Sequence, residues 1–381
     1  MRTLFLAGAM TLAGLSSLPA AQAQDTEVAE TLDFSGMSWR IAAREARSEQ
    51  IDGRDAVYLE AGRIWLDEAA FSDGVIEFDL RMPAPQQGFA GLSFRAQDDR
   101  LYEDFYLRAH LSDKPDASQY QPVINGLGGW QIYADENAAQ AVGLRHGEWM
   151  RVRAIVQGDS AEFYLDDDTP FLHVPDLKAD LGAGGLGLRA GGQIGFHFAN
   201  FSYRPLREGE VLLGSPAETS EPPESIIGSW SVSAPFDQAE VTAQVNLPDD
   251  FMAGQDWSEL GVETNGIANL ARLHGRSAGA DTVLARLTLT ADEATQRLLR
   301  LGYSDQVRVY LNGELLFAGD SRWRARDYRF LGTVGLFDAV GLQLRQGENT
   351  LVLAVTEGFG GWAVMAELED RSGLTIRQPH H

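Results

Sequence analysis

The sequence predicts an all-β protein with two β-sandwich domains in tandem. Segments in which apolar and polar residues alternate, such as Gly74–Arg81 and Trp149–Val156, recur through residues 32–205 and are separated by Gly, Pro and Asp. Such alternation gives a strand one buried face, and evenly spaced short strands are typical of sandwiches. Residues 227–370 repeat the pattern. Residues 206–226, with Gly, Pro, Ser and Glu and little periodicity, predict a linker between the domains.

The N-terminus has the three parts of a secretory signal. Arg2 supplies the positive charge, Leu4–Leu18 is a short apolar core, and Ala21-Gln22-Ala23 is a small-residue cleavage site. We therefore expect residues 1–23 to be removed and the mature protein to be periplasmic or secreted. The apolar run is too short for a good membrane span. At the other end, residues 371–381 are predicted to form a tail.

The composition argues against several classes of function. The chain has 381 residues and no Cys, which excludes disulfides, thiolate metal sites and cysteine nucleophiles. Its formal net charge of −24 argues against a broad nucleic-acid-binding surface, which needs clustered Lys and Arg. No nicotinamide, flavin or nucleotide motif is present. We therefore expect no nucleic-acid partner, no membrane span and no cofactor.

The second domain contains a clear hairpin signal. Val307–Leu311 alternates apolar and polar residues and leads into Asn312-Gly313, a preferred two-residue hairpin turn. Gly347-Glu348-Asn349 then precedes another apolar strand, Leu351–Val355. These stretches resemble the galactose-binding-like jelly-roll domain attached to many glycoside hydrolases, over roughly residues 283–370. The resemblance implies a jelly-roll fold and a sugar-binding role, although jelly rolls host many functions.

Two stretches of the first domain carry a second resemblance. Gly147–Leu165 contains a Gly-Glu-Trp turn, an alternating strand, a Gly-Asp turn and a return strand, and Gly185–Tyr203 looks like a closing strand pair. Both resemble concanavalin A-like (laminin-G-like) sandwiches, over about residues 55–205. That superfamily includes lectins, β-glucanases and 3-keto-glycoside hydrolases. The resemblance therefore implies the fold and leaves binding and catalysis open.

The β-glucanase branch of that superfamily carries a Glu-x-Asp-x-x-Glu strand. Glu77-Phe78-Asp79 begins in the same way, but the third acidic position is occupied by Met82. Ordinary glycoside hydrolysis needs two carboxylates that flank the scissile bond. If the protein is a hydrolase or lyase of an uncommon type, its acid–base candidates are Glu77, Asp79, Glu103 and Asp104, with His110 as an assisting proton donor.

The segment from Leu101 to His110 carries the main binding prediction. Period-two geometry puts Tyr106, Arg108 and His110 on one strand face and apolar residues on the face toward the core. An aromatic ring can stack on a sugar, and charged donors can bond its hydroxyl or carboxylate groups. A long loop over 112–129 and a strand over 130–133 are expected beside this face. The predicted ligand-binding residues are Tyr106, Arg108, His110, Gln119, Tyr120, Asn125, Gln131 and Tyr133.

A structural alternative explains the same residues without a ligand. In it, Tyr106 and Tyr133 form a cross-strand pair, and Arg108 bonds Glu103 or Asp104.

The second domain offers secondary candidates. Arg322, Arg324 and Arg326 would share one face of an extended chain and could clamp an acidic glycan, with Arg329 nearby; the alternative is a network of ion pairs. Trp362 follows a glycine-rich turn and is either a stacking platform or a plug at one end of the sandwich. Thr290–Leu301 is the one segment of this domain predicted to be helical.

The sequence predicts no metal site. His146, His173 and His197 lack metal-ligand spacing and are expected to be structural. Asp98-Asp99 and Asp166-Asp167-Asp168 could contribute to a calcium site but lack the full pattern of oxygen ligands.

Three functions follow from these patterns. The leading hypothesis is an exported protein that binds a carbohydrate or glycoconjugate, acidic glycans included, through the polar and aromatic face of the first sandwich. The second is the glycoside hydrolase or lyase described above. The third is a non-catalytic structural or protein-interaction module, which an exposed apolar patch would favour.

Overall fold

The computed structural model describes residues 30–135, 137–218, 221–327 and 331–377. Their regular secondary structure is almost entirely β-strand, which confirms the predicted fold class. The predicted signal sequence, residues 1–23, lies outside the described residues, as does Arg329. No helix in the described ranges is long and apolar enough to cross a membrane.

The strands of the first half are β1 (Thr31–Phe34), β2 (Met37–Ile51), β3 (Arg54–Phe71), β4 (Gly74–Arg81), β5 (Gly88–Asp98), β6 (Leu101–Arg108), β7 (Ser118–Ile124), β8 (Leu127–Gly128), β9 (Trp149–Gln157), β10 (Ser160–Leu165), β11 (Leu172–Val174), β12 (Gly184–Gly192) and β13 (Phe196–Arg204).

The second half contains eleven strands in the described residues, two short α-helices and one 3-10 helix. The strands are β14 (Ser229–Ser233), β15 (Trp257–Gly261), β16 (Ala268–Asn269), β17 (Thr282–Ala291), β18 (Thr295–Ser304), β19 (Gln306–Leu311), β20 (Glu314–Asp320), β21 (Asp338–Leu344), β22 (Gly347–Thr356), β23 (Ala363–Leu368) and β24 (Leu374–Arg377). The helices are α1 (Ala239–Thr242), α2 (Asp249–Ala253) and the 3-10 helix Leu270–Arg272.

Strands β1 to β13 form one antiparallel sheet that folds over on itself. Its path is β11-β10-β9-β4-β13-β3-β12-β5-β6-β7-β8, with β2 and β1 added at the other edge of β3. Strand β3 changes partner from β13 to β12 at Ala61-Gly62, where both residues have positive φ. A Cβ atom at Gly62 would lie 2.3 Å from the carbonyl oxygen of Ala42, so only glycine fits this bend.

The fold in the sheet creates two layers that share one core. Phe105 of β6 stacks on Phe163 of β10, with ring centroids 3.9 Å apart, although these strands lie far from each other along the sheet. Phe78, Phe198 and Leu188 are fully buried in the same cluster. Burial of large apolar side chains from both layers stabilises the sandwich.

The second half is a sandwich of two separate sheets. One has the order β15-β14-β17-β22-β19-β20, with β24 on β17, and the other has the order β16-β23-β18-β21. Trp230, Tyr303 and Trp362 fill the space between them. The predicted hairpin is confirmed: Leu311 pairs with Glu314, and both Asn312 and Gly313 have positive φ.

The predicted helix over Thr290–Leu301 is wrong. The segment contains the end of β17, a turn, and most of β18, in which Leu299 and Leu301 are buried while Leu298 is exposed. Good helix formers dominate this segment locally, but pairing with β21 and β23 on either side decides its structure.

The described part of the 206–226 segment lies on the first sandwich. Leu206 and Leu212 pack against a cluster that includes Tyr164, and Glu162 accepts hydrogen bonds from the backbone N–H groups of Leu213 and Gly214 at 2.8 and 2.7 Å. The domain limits 32–205 and 227–370 stay predictions.

Candidate functional site

The outer surface of β3, β12, β5, β6 and β7 carries polar and aromatic side chains instead of apolar ones. Strand register places Arg63, Arg189, Gly91, Tyr106 and Gln119 in one row across these strands. The adjacent row consists of Trp65, Gly187, Ser93, Asp104 and Gln121. We define the polar face as Arg63, Trp65, Phe89, Ser93, Tyr102, Asp104, Tyr106, Arg108, Gln119, Gln121 and Arg189.

Asp104 is the centre of this face. It is fully buried and forms ion pairs with Arg189 and, at 3.5 Å, with Arg63. Ser93 Oγ and Gln121 Nε2 donate to its carboxylate at 2.9 and 3.1 Å. Burial alone would raise the pKa of Asp104, but the two guanidinium groups and these hydrogen bonds outweigh it and lower the pKa. Asp104 is therefore held in its ionised form.

Aromatic rings alternate with the guanidinium groups. Trp65 lies over Gly187, where a Cβ atom would meet the indole ring at 2.6 Å. The Arg63 guanidinium lies 4.8 Å from the ring centroid of Tyr102, and that of Arg189 lies 4.3 Å from the ring centroid of Tyr106. Cation–π contacts of this kind hold flexible arginine side chains in place.

The polar face carries more positive than negative charge at its centre. Arg63 and Arg189 both pair with the carboxylate of Asp104, whereas Arg108 lies against the Tyr106 ring, on which the negative charge of Asp116 also acts. Arg108 bonds neutral oxygens, those of the Asp116 backbone (2.6 Å), the Gln119 amide (3.3 Å) and the Tyr106 hydroxyl (3.4 Å). Solvent reaches 22% of the Arg63 side chain and 17% of the Arg189 side chain, so both side chains are partly accessible.

Three of the predicted binding residues lie on this face. Tyr106, Arg108 and Gln119 occupy neighbouring positions on β6 and β7, and all three are largely buried. Arg108 bonds neither Glu103 nor Asp104, and Tyr133 lies on no strand, so neither pairing of the structural alternative is formed. Their role in ligand binding stays a prediction.

His110 lies at the border of the polar face, two residues beyond the end of β6. Its ring meets Phe89 edge-on at a centroid distance of 5.7 Å, and Phe89 meets Tyr106 in the same way. Burial and the nearby positive charge of Arg108 lower the pKa of His110. The neutral imidazole is therefore favoured near neutral pH, and its suitability as a proton donor is reduced.

Tyr120 and Glu103 lie on the opposite, inward side of their strands. The Tyr120 hydroxyl donates to Glu103 at 2.8 Å and accepts from the backbone N–H of Lys178 at 2.6 Å. Glu103 also accepts the N–H of Ala179 at 3.1 Å. Burial raises the pKa of Glu103 to about 7, although both hydrogen bonds oppose this shift. This arrangement fastens the 178–179 backbone to the sandwich, which is a structural use of the acid.

Asn125, Gln131 and Tyr133 contact the second half of the chain. Asn125 Nδ2 donates to the backbone oxygen of Ala271 at 2.8 Å, and Gln131 Nε2 donates to that of Leu331 at 2.9 Å. The Tyr133 hydroxyl bonds Glu263 at 2.8 Å. These side chains join the two halves.

The expected loop over 112–129 and strand over 130–133 are both wrong in outline. Half of the expected loop belongs to β7 and β8, which are joined by a two-residue turn at Asn125-Gly126 in which both φ angles are positive. Residues 130–133 form a turn, because Ile132 and Tyr133 donate their backbone N–H groups back to Gly129.

A groove runs along the junction of the two halves. It consists of adjoining cavities of about 550, 200 and 470 Å³. Tyr120 and Tyr133 line the middle cavity, and Gln131 lines the last. The basic groups on its wall are paired: Lys178 with Asp176, and Arg272 with Glu263. The groove therefore offers less unpaired positive charge than the polar face.

Glu77 and Asp79 belong to the other layer of the first sandwich, on β4. Glu77 pairs with Arg151 at 2.7 Å, and Asp79 pairs with Arg54 and accepts from Asn200 at 2.6 Å. Glu103 points into the core from a different layer. The candidate acids are thus spread over separate surfaces instead of flanking one cleft.

The secondary candidates are also separated. Arg322 pairs with Asp320, Arg326 pairs with Asp338, and Arg324 has a positive φ and lies 4.1 Å from the Trp323 ring centroid. The segment turns instead of extending, so these arginines do not form a common clamp. Trp362 is fully buried and donates to the Val355 backbone oxygen at 3.1 Å, so it plugs the sandwich and is no stacking platform.

No group of three metal-ligating side chains occurs within the described ranges. Asp98 accepts the backbone N–H of Arg100 in a turn, Asp166 accepts the backbone N–H of Arg151 on β9, and Asp99 pairs with Arg40. These contacts give the acids structural partners of their own.

The sequence patterns did not predict seven of the eleven residues of the polar face. Arg63, Trp65 and Arg189 lie on strands whose alignment with β6 is not apparent from the sequence. The signal was present in the alternation of Arg63 and Trp65 with the buried Ile64, and of Gly187 and Arg189 with Leu188. Only the strand register, which a single strand does not reveal, brings these residues beside Asp104.

Comparison with known proteins gives fold-level matches alone. No protein-family model and no curated protein sequence matches the chain. The carbohydrate-binding module CBM66 from Bacillus subtilis is 16% identical, with 42% of this chain and 91% of that chain covered and a TM-score of 0.33. A Bacillus subtilis protein of unknown function with a galectin-like fold is 15% identical, with coverages of 43% and 88% and a TM-score of 0.33. A Bacillus licheniformis β-glucanase is 11% identical, with coverages of 49% and 95% and a TM-score of 0.32. At these values the similarities carry no argument about function, which we base on the geometry of the chain itself.

Proposed function

We propose that the protein binds carbohydrate and that the polar face of the first sandwich is its binding site. The observation that carries the proposal is the combination of aromatic rings and partly exposed arginine side chains on the outer side of the sheet. The partly exposed ring of Phe89 can stack on the C–H face of a sugar, and arginine N–H groups can bond sugar oxygens. Trp65, Tyr102 and Tyr106 are only 3 to 4% exposed, so their role is to position the arginine side chains. Strands and cation–π contacts hold these groups in place before a ligand arrives, which lowers the entropic cost of binding.

The same geometry favours binding over glycoside hydrolysis. Hydrolysis needs one carboxyl group that holds a proton and a second that is ionised, on either side of the bond. Asp104 is kept ionised by Arg189 and Arg63, and Glu77 and Asp79 lie in the other layer of the sandwich. We therefore expect bound polysaccharide without released product.

The proposal is tested by equilibrium binding to a panel of neutral and acidic soluble polysaccharides, with released reducing and unsaturated ends measured in the same samples. Arg108→Ala should weaken binding roughly tenfold or more, because it removes a charged donor from the face. Arg151→Ala is the matched control, since it removes the same charge from the other layer. It should leave the dissociation constant unchanged.

Equal dissociation constants for the two variants and the unmodified protein would contradict the polar face as the site. Product formation would contradict the binding-only function. Thermal unfolding of Arg108→Ala serves as the folding control: a lost transition would mark Arg108 as structural, and Phe89→Ala, which removes a half-buried ring from the same face, would then replace it.

A further inference from the structure

We propose that the carbohydrate bound on the polar face carries an anionic group, a carboxylate or a sulfate, and that Arg63 and Arg189 hold it. This inference rests on the proposed function and specifies its ligand class.

The first step concerns the relative position of the two arginines. Arg63 and Arg189 are direct cross-strand neighbours on β3 and β12. Like charges in this position repel each other and destabilise a sheet unless an opposite charge lies close to both. Asp104 supplies only one negative charge for the two. Among the described residues, the two guanidinium groups therefore share one ion-pair partner, which leaves one of their positive charges without a carboxylate of its own.

The second step concerns the donors that remain. In the described residues, Arg189 uses Nη1 for Asp104, and Arg63 uses Nε for Ser93 at 3.2 Å and Nη2 for Asp104 at 3.5 Å. Nη1 of Arg63 and both Nε and Nη2 of Arg189 have no protein acceptor there. A guanidinium presents its N–H groups in a planar fork that matches the oxygens of a carboxylate or sulfate.

The third step concerns the rest of the molecule. The chain carries a formal charge of −24, so its surface repels polyanions in general. The local excess of positive charge on the polar face therefore directs an anionic ligand to this face. The polar face attracts such a ligand, whereas most of the remaining surface repels it. A neutral glycan can be bound by uncharged donors such as hydroxyl groups, which cost less to desolvate than guanidinium groups. The second and third guanidinium groups would therefore bring no advantage for a neutral ligand.

The test compares matched pairs of polymers. Polygalacturonate and alginate are each titrated against their methyl esters, and dextran sulfate is titrated against dextran, at low and high NaCl. We expect at least tenfold tighter binding of the anionic member in one or more pairs, with binding weakened by salt. The carboxylate and sulfate pairs distinguish the two anions. Arg63→Gln should remove most of the preference, whereas Arg151→Gln, the matched control on the other layer, should keep it.

The outcomes separate the inference from the proposed function. Equal binding of both members of every pair, weakened alike by Arg108→Ala, would overturn the anionic ligand and leave carbohydrate binding standing. Failure of every polysaccharide to bind would overturn both. Since the comparison of acid with ester uses the unmodified protein, the result does not depend on whether Arg63→Gln folds.

Discussion

At the scale of single residues, burial decides the chemistry more than residue type does. Glu103 and Asp104 are adjacent on β6, yet they point to opposite sides of the strand. Glu103 faces the core and its pKa is raised to about 7, whereas the ion pairs of Asp104 lower its pKa. The sequence predicted the strand and its alternation. It could not assign these opposite shifts, because the two arginines that hold Asp104 come from β3 and β12.

A second buried acid lies in the second sandwich, beside the junction. Glu357 is 1% exposed and accepts hydrogen bonds from Gly361 N–H and Ser304 Oγ, both at 3.3 Å. Burial and the negative charge of Asp305 raise the pKa of Glu357 from 4.5 to about 8, and a weaker positive influence of Arg276 opposes this. The carboxyl group is thus protonated in the folded protein at neutral pH.

We expect Glu357→Gln to change how stability depends on pH. A carboxyl whose pKa is raised on folding stabilises the protein below its unfolded pKa, and that contribution is lost as the pH rises toward its folded pKa. The wild type should therefore lose stability between about pH 4.5 and pH 8, by an amount on the order of a few kcal/mol at most. Gln resembles the protonated acid and does not ionise, so the variant should gain relative to the wild type as the pH rises. Urea unfolding at pH 5 and pH 8.5 measures the free energy of unfolding of the wild type and of the variant. If the difference in free energy between the two proteins is the same at both pH values, the raised pKa of Glu357 is contradicted. Glu103 titrates in an overlapping window but is present in both proteins.

At the scale of secondary-structure elements, the sequence predicted structure correctly where a turn joins two strands that are adjacent in the chain. Asn312-Gly313 and its flanking alternation predicted the β19–β20 hairpin, because the turn type depends only on the two residues that adopt it. The same Asn-Gly turn signal occurs at Asn125-Gly126, inside the segment that was predicted to be a loop. Thr290–Leu301 failed because strand pairing with β21 and β23 overrides local helix propensity.

Gly313→Ala tests the hairpin. Gly313 has φ +87°, a conformation that a side chain disfavours, and the nearest obstacle to a Cβ atom is the backbone oxygen of Leu247 at 3.4 Å. We expect a loss of about 1 kcal/mol in the free energy of unfolding, measured by urea denaturation. Gly341→Ala is the control: it lies in β21 with no atom within 4 Å of the added Cβ and no positive φ, so it should be neutral or slightly stabilising. Equal losses for the two variants would contradict the turn geometry.

At the scale of the whole molecule, the two sandwiches are joined by specific contacts. Arg272 is the main connector: it donates to Glu263 at 2.8 Å, to Asp180 at 3.2 Å and to the backbone oxygen of Lys178 at 2.7 Å. The Tyr133 hydroxyl bonds the same Glu263 and accepts from Asn269. The sequence predicts Asn125, Gln131 and Tyr133 as ligand contacts, because polar and aromatic residues in a loop suit either ligand binding or contact with a second domain. Only the position of the second domain, which no local sequence pattern encodes, shows that these residues contact that domain.

Arg272→Ala should uncouple the two sandwiches. The substitution removes three hydrogen bonds across and beside the junction and leaves Glu263, which is largely buried, without its cation. The Arg272 and Glu263 side chains are 29% and 12% exposed, so breaking the pair should cost less than the roughly 3 kcal/mol of a fully buried pair. In differential scanning calorimetry we expect one transition for the wild type and two for the variant, since most buried apolar side chains of each half cluster within that half. Arg300→Ala is the matched control, because its 3.5 Å pair with Glu369 lies on the surface and contributes little. A single transition at the wild-type temperature in Arg272→Ala would mean that the apolar contacts of Ile132, Ile267 and Met365 suffice to couple the halves.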